Sequence, residues 1–239
     1  MNTSESITMV GSTAFRSDLL EEPKNPFDSL ASAYDAWFDG EGELVFSTEV
    51  QALRELLTLL SRPWLEVGVG SGRFAQALGI EVGLDPSIRL LQMARDRGVN
   101  SFLGRGEAVP FATGSFGTVF LIVTLCFVDS PLQVLTEANR ILRSDGNVVI
   151  GLVLRESPWG QFYQLKKAEG HRFYKYAAFY SYHEVATLLR QAGFQPGKVV
   201  STLFQMPARV DRLELAREGY SPDAGFVAIM ASKSGTIKG

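Results

Sequence analysis

Cysteine and histidine are scarce in this chain, which carries only Cys126, His171 and His183. A single cysteine excludes an internal disulfide and fits a reducing compartment. Without a His-x-x-x-His pair or a cysteine cluster, no spacing suggests a zinc site or a histidine-based triad. Nor does any carboxylate spacing point to magnesium. Long apolar runs are missing too. The longest, Val119 to Val128, is interrupted by Thr124 and falls short of the roughly 20 residues a membrane helix needs. Basic charge is not in excess, since 23 Lys and Arg face 26 Asp and Glu for a net charge of -3. The totals therefore lack the basic footprint of a nucleic-acid binder. The start, Met1-Asn2-Thr3-Ser4-Glu5-Ser6, has neither the basic opening nor the apolar core of a signal peptide. These absences predict a cytoplasmic protein with no membrane span and no nucleic-acid partner.

What is present fits one α/β domain. The 239 residues are 46% apolar and 21% charged, enough to bury a sizeable core. Residues 1–25 are rich in Ser, Thr and Glu without a clear period and predict a mobile or loosely docked arm. The domain is expected over residues 26–239. Its N-terminal helices, within 26–60, carry Phe27, Leu30, Tyr34, Trp37 and Phe38 on one side, then Val50, Leu53, Leu56 and Leu57 as a second stripe. From Trp64 onward strands alternate with helices. Strands are expected at 64–67, 81–85, 99–103, 118–127, 147–154, 198–203 and 225–231. Helices are expected from Phe74, from Pro86 to about Arg97, over 131–142 and from the capping box at Ser181-Tyr182-His183-Glu184. This rhythm predicts a Rossmann-like, doubly wound, mostly parallel seven-stranded sheet with helices on both faces. Residues 155–180 break the rhythm and are crowded with aromatic and basic groups, which predicts a small cap.

The densest signal is Glu66-Val67-Gly68-Val69-Gly70-Ser71-Gly72, between a strand and a helix. Glycine permits positive φ and close approach of a ligand, and the following helix offers free N–H groups. The spacing is Gly-x-Gly-x-Gly, whereas the dinucleotide fingerprint is Gly-x-Gly-x-x-Gly. Asp85 ends the second strand, where an acidic residue can take ribose hydroxyls, and Pro86 offers a flat edge for a base. A tight turn and a plain helix cap are the bland alternatives.

These residues resemble the class I S-adenosylmethionine-dependent methyltransferases. Gly104 to Phe111 followed by Ser115-Phe116, Ala138 to Leu142 with Asp145-Gly146, and Phe27 to Phe38 resemble segments of the ubiquinone/menaquinone-biosynthesis-like branch (methyltransferase type 11). The likeness runs from about residue 27 to 154. It implies S-adenosylmethionine as donor and S-adenosylhomocysteine as product. It further implies that Gly68 and Gly70 pass close to the methionine part and that Glu66, before them, is among the cofactor-binding residues. Asp85 would hold the ribose and Pro86 flank the adenine. Gly106 and Glu107 would meet the adenine edge, Thr124 would face the methionine amino group, and Tyr34 would reach in from the N-terminal helix. Three positions depart from the pattern. Arg105 stands where the family often has an acidic acceptor for the adenine amino group. Gly117 replaces a frequent Asp, and Cys126 stands where many relatives carry histidine.

Transfer of a sulfonium methyl group needs in-line positioning above all, so neither a triad nor a metal is required. His171 is the candidate base if one is needed, with an ordinary surface or core position as the heavier alternative. The acceptor is expected to be a small molecule, and the residues do not specify it or the oligomeric state. Two other readings remain open: a nicotinamide-dependent oxidoreductase, and a protein that binds S-adenosylmethionine without catalysis.

Overall fold

A computed structural model describes residues 26–234. The arm expected over residues 1–25 lies outside the described residues. Two short helices, α1 (Pro26–Ser29) and α2 (Ala31–Trp37), precede α3 (Glu43–Leu57). There follow β1 (Trp64–Val67), α4 (Arg73–Leu78), β2 (Val82–Asp85), α5 (Ile88–Asp96), β3 (Asn100–Leu103) and β4 (Phe116–Ile122). Next come α6 (Pro131–Ile141), β5 (Leu142–Leu152), α7 (Pro158–Ala168) and α8 (Tyr182–Gln191). The chain closes with β6 (Phe194–Thr202), β7 (Arg217–Glu218) and β8 (Phe226–Lys233).

The strands form one eight-stranded sheet in the order β3-β2-β1-β4-β5-β8-β6-β7. The first five pair in parallel, and β8 lies antiparallel between β5 and β6. Side chains alternate across a strand, so one sequence feeds two cores. Leu65, Val67, Val119 and Leu121 face Val134 and Leu135 of α6 and Leu189 of α8. Trp64 and Phe120 face Leu53 and Leu56 of α3, Ala75 of α4 and Leu91 of α5. Covering both faces explains the near-continuous apolar strands. The strand order reverses at β1 and β4, which opens a crevice beyond their carboxyl ends. No described helix is long and apolar enough to cross a membrane.

The architecture is the doubly wound α/β fold expected. It has eight strands instead of seven because β7, two residues long, pairs with the edge of β6. A strand so short leaves no periodic trace. β4 ends at Ile122 instead of Phe127. Val123 there takes φ +52°, outside the extended region, and Leu125–Phe127 form a 3-10 turn. The turn is itself partly buried, so the apolar run continued past the strand. The cap contains a helix, α7, whose N-terminus Ser157 caps by accepting from the Gly160 N–H at 3.0 Å. Gly117 also finds its reason: a Cβ there would overlap the Ser61 carbonyl, so no larger residue fits.

The motif at 138–142 acts as a clasp. The Arg140 guanidinium donates to the carbonyls of Val109 and Phe111 at 2.8 Å each and to Glu137. Glu137 accepts from the Val109 N–H at 2.9 Å, and Asn139 donates to the Gly193 carbonyl at 3.1 Å. The Val109-Pro110-Phe111 segment is thereby fixed against α6.

Candidate active site

The glycine loop leaves β1 at the switch point. Gly68, Gly70 and Gly72 have φ of +77°, +53° and +82°, so the chain turns sharply from β1 into α4. Gly68 is also a close approach: a Cβ would lie 2.5 Å from both Cγ2 and Oγ1 of Thr124. The Thr124 hydroxyl is anchored on the carbonyl oxygens of Val67 (3.0 Å) and Ile122 (3.1 Å). Val123, β-branched and in the left-handed region, precedes it. Such strain costs of order 1–3 kcal/mol and gathers at functional sites. Here it directs Thr124 back against the loop.

Asp85 ties the loop to β2. One carboxylate oxygen accepts from the Gly70 N–H at 2.9 Å and the other from the Ser87 N–H at 2.8 Å. It is only 7% exposed. Burial pushes its carboxyl up to about 6, with the two backbone bonds opposing. Glu66 is more buried, at 1% exposure. Burial, then the neighbouring Asp85 charge, raises it well above the usual carboxylate range, while a bond from the Ala75 backbone opposes. Among the described residues its Oε2 has no hydrogen-bond partner.

The N-terminal helices are clamped over this loop. Asp35 of α2 receives Arg73 of α4 at 2.9 Å and Arg97 at 2.7 Å, and Arg97 also donates to the Ser71 carbonyl at 2.8 Å. Burial alone would raise the Asp35 carboxyl, but the two guanidiniums reverse this and hold it well below the usual range. Asp28 of α1 accepts from the Ser87 hydroxyl at 2.8 Å and the Arg89 N–H at 3.1 Å. Asp35→Ala should lower stability by roughly 2 kcal/mol, since hydrogen bonds to charged groups are the strong ones. Urea unfolding at neutral pH measures this, and an unchanged midpoint would contradict the clamp.

Tyr34 reaches the loop from α2. A Cβ on Gly70 would sit 3.6 Å from Tyr34 Cε1 and 3.8 Å from its hydroxyl. Burial, then the charges of Asp85 and Glu66, raise its phenol above the usual value. Its ring meets Phe27, Phe38 and Phe173 at centroid distances of 5.6, 5.4 and 5.8 Å. Phe27 in turn stacks on Phe173 at 5.6 Å and meets Phe127 edge-on at 4.9 Å. The N-terminal helices and the 171–176 segment therefore close on each other above the loop.

The remaining expected residues divide. Pro86 is exposed at the start of α5. Gly106 is buried, and a Cβ there would press on Val67 and Val134 at 3.0 and 3.1 Å. The Glu107 carboxylate turns away to the start of α6, accepting from the Asp129 and Ser130 N–H groups at 3.0 and 3.4 Å. Arg105 pairs with Asp129 and lies 3.6 Å from Glu107. His171 lies in the 171–176 segment. Its Nδ1 accepts from the Phe173 N–H at 3.4 Å, and its ring stacks on Tyr174 at 4.7 Å. Burial, then the positive charge of Arg172, lowers its pKa.

Asp28, Asp35, Arg73, Arg97 and Glu49 were not foreseen. The ion pairs join residues far apart in sequence, which no spacing reveals. Glu49 did leave a signal, because it stands in the buried stripe of α3, four residues after Val45 and four before Leu53. It is 6% exposed, and burial pushes its carboxyl up from 4.5 to about 8. Folded Glu49 thus holds its proton across an interval in which the unfolded chain has lost it, so its contribution to stability falls as pH rises. Glu49→Gln should raise the thermal midpoint, and by more near pH 9 than near pH 5. Equal gains at the two values would contradict the burial argument.

Residues 65–150 match a family model described as "Methyltransferase domain". An uncharacterized protein of Mycobacterium tuberculosis is 46% identical over 204 residues, which cover 84% of this chain and 71% of the relative. Another, from Methanocaldococcus jannaschii, is 37% identical over 209 residues, covering 87% of this chain and 99% of the relative. A crystal structure from Thermotoga maritima is described as a SAM-dependent methyltransferase, possible histamine N-methyltransferase. It matches with a TM-score of 0.81 at 38% identity, covering 87% of this chain and 98% of that one.

Proposed function

Because the chain belongs to the class I S-adenosylmethionine-dependent methyltransferases, we propose that it moves the donor's methyl group to a small-molecule acceptor under the aromatic cap. The observation that carries the small-molecule reading is the closure of Phe27 and Phe173, with Tyr34, over the glycine loop. An acceptor must enter a covered space, which suits a small compound better than a polymer. The net charge of -3 supports the same reading against a nucleic acid. The single cysteine, Cys126, supports a cytoplasmic setting. Residues 26–239 would serve as one domain, with 1–25 as an arm and 155–180 as the cap.

The residues fit the donor. Glu66 Oε2 is a buried acceptor without a partner, suited to the donor's methionine end, with Thr124 and Gly68 beside it. Gly70 faces the Tyr34 ring, whose Cε1 would lie 3.6 Å from a Cβ there. Asp85 would receive the ribose hydroxyls, Pro86 would flank the adenine and Gly106 would border it. Glu107 is assigned to the adenine side through its backbone, since its carboxylate caps α6. When bound, the donor supplies a sulfonium whose methyl group is already activated for in-line displacement. The chain's own task is then orientation, which can supply on the order of 7–11 kcal/mol of barrier lowering. The fixed Thr124, the clamped α2 and the closed cap serve that task. His171 could act as base only by way of a movement of the 171–176 segment, because Phe173 and Tyr174 stand around it.

The test is to incubate the protein with methyl-labelled donor and a dialysed or undialysed cell extract. Label should enter the dialysable fraction only in the presence of the protein. Label found solely in protein or nucleic acid would overturn the small-molecule reading.

A further inference from the structure

Glu49 is a buried carboxyl with no counter-ion. Among the described residues no ion pair or hydrogen bond reaches it, and burial is the sole cause of its shift. An unpaired buried carboxyl is costly to a fold, and such groups gather at functional sites. Its surroundings are aromatic. Tyr34 and Tyr163 pack against the same apolar cluster as its α3 neighbours Val45, Val50 and Leu53, and the phenols of Tyr34, Tyr163 and Tyr174 lie within reach of its charge. Tyr174 is sandwiched between Tyr163 and His171, with ring centroids 4.3 and 4.7 Å away, which makes a rigid wall. Tyr34 connects this group to the donor loop, since its ring borders Gly70. The donor's cradle does not use Glu49.

We propose that Glu49, with Tyr34, Tyr163 and Tyr174, forms the acceptor's binding site and selects a small aryl-alkyl amine, a selection that rests on the methyltransferase reading above. An ammonium group supplies the counter-ion that Glu49 lacks, and aromatic faces attract a cation once water is displaced; handing one proton back to the Glu49 carboxylate would then free the nitrogen lone pair that takes the methyl group as the donor's S–C bond breaks. A neutral alcohol of the same shape can exchange one hydrogen bond with the protonated carboxyl but brings no counter-charge to the carboxylate. A carboxylate ligand either keeps Glu49 protonated or sets two like charges together. Discrimination by a site built around a buried polar group is strong, because the wrong ligand leaves that group unsatisfied.

Binding also has a proton signature. Glu49 titrates at about 8, so near pH 7 it is mostly protonated and must lose that proton to pair with an ammonium. The titratable groups facing it are the three phenols, which burial holds above their usual value and keeps neutral there.

The experiment loads the full chain with S-adenosylhomocysteine and titrates 2-phenylethylamine, 2-phenylethanol and 3-phenylpropionate by calorimetry near pH 7. The amine should bind about tenfold or more tightly than either competitor. Repeating the titration in buffers of different ionisation heat should show a proton released with the amine. Glu49→Gln should still bind S-adenosylhomocysteine, yet weaken the amine about tenfold or more and abolish the release. Absence of amine binding to the loaded protein, equal affinity for the alcohol, or an undiminished amine affinity in Glu49→Gln would overturn the proposal. If that variant does not fold, ligand preference and proton release in the wild type decide the matter. Failure of the wild type to bind S-adenosylhomocysteine would instead overturn the methyltransferase reading, and the amine proposal with it.

Discussion

Replacing Gly68 with alanine is expected to abolish donor binding and to lower the stability of the empty protein by roughly 2–4 kcal/mol. Two costs combine. The backbone at φ +77° is left-handed, where a Cβ costs about 1–2 kcal/mol. The new methyl would also sit 2.5 Å from Thr124 Cγ2 and Oγ1. Thr124 cannot easily yield, because its hydroxyl is held by the Val67 and Ile122 carbonyls. The clash must therefore displace the loop itself, which is the surface the donor would lie against. Gly98→Ala separates the two costs. Gly98 has φ +84°, but a Cβ added there would meet nothing within 4 Å. It should lose only the backbone share, about 1–2 kcal/mol, and bind S-adenosylhomocysteine as the wild type does. Urea unfolding and calorimetry measure both. Wild-type affinity in Gly68→Ala would sink the account of the loop.

Asp85→Asn is expected to weaken S-adenosylhomocysteine binding about a hundredfold. A carboxylate offers about four acceptor sites, and the Gly70 and Ser87 N–H groups occupy one on each oxygen. The rest would be left for the two ribose hydroxyls of the proposed role. An asparagine amide turns one acceptor into a donor, which then opposes either a backbone N–H or a hydroxyl. The wild type should show a pH dependence of definite sign. Asp85 titrates at about 6, and in the proposed role ribose hydroxyls would donate to its ionised form, so binding would first have to release a proton below that value. Affinity should fall about tenfold on going from near pH 7 to near pH 5. In Asp85→Asn this group's contribution to the slope should vanish. A steep wild-type slope that persists unchanged in the variant would assign the titration to another group.

Gly68, Gly70, Gly72 and Asp85 were legible because their demands are local. A sharp strand-to-helix turn needs glycine, and a carboxylate at a strand end needs only its position. The alternating apolar strands were legible for the same reason. The boundary of β4 was not, because Val123 bends the chain through a conformation that its residue type disfavours, and only tertiary contacts impose it. Glu107 read as an adenine partner because it lies in the right segment. That its carboxylate also accepts from the N–H groups of Asp129 and Ser130 at the start of α6 was not legible, because the two segments meet only in the fold. Asp35 gave no hint of its role, since Arg73 and Arg97 reach it only once α2 folds back over the loop. Glu49 left one signal, its place in the apolar stripe of α3, but that stripe reads as helix whether or not one member is charged.

The central claim is that the turn from β1 into α4, closed by Asp85, holds S-adenosylmethionine and not a nicotinamide dinucleotide. Calorimetric titration of the purified chain with S-adenosylhomocysteine, and separately with NAD, tests it most directly. About one S-adenosylhomocysteine should bind per chain, with a dissociation constant on the order of micromolar, while NAD gives no saturable heat. A silent titration at millimolar S-adenosylhomocysteine, or saturable binding of NAD in its place, would contradict it.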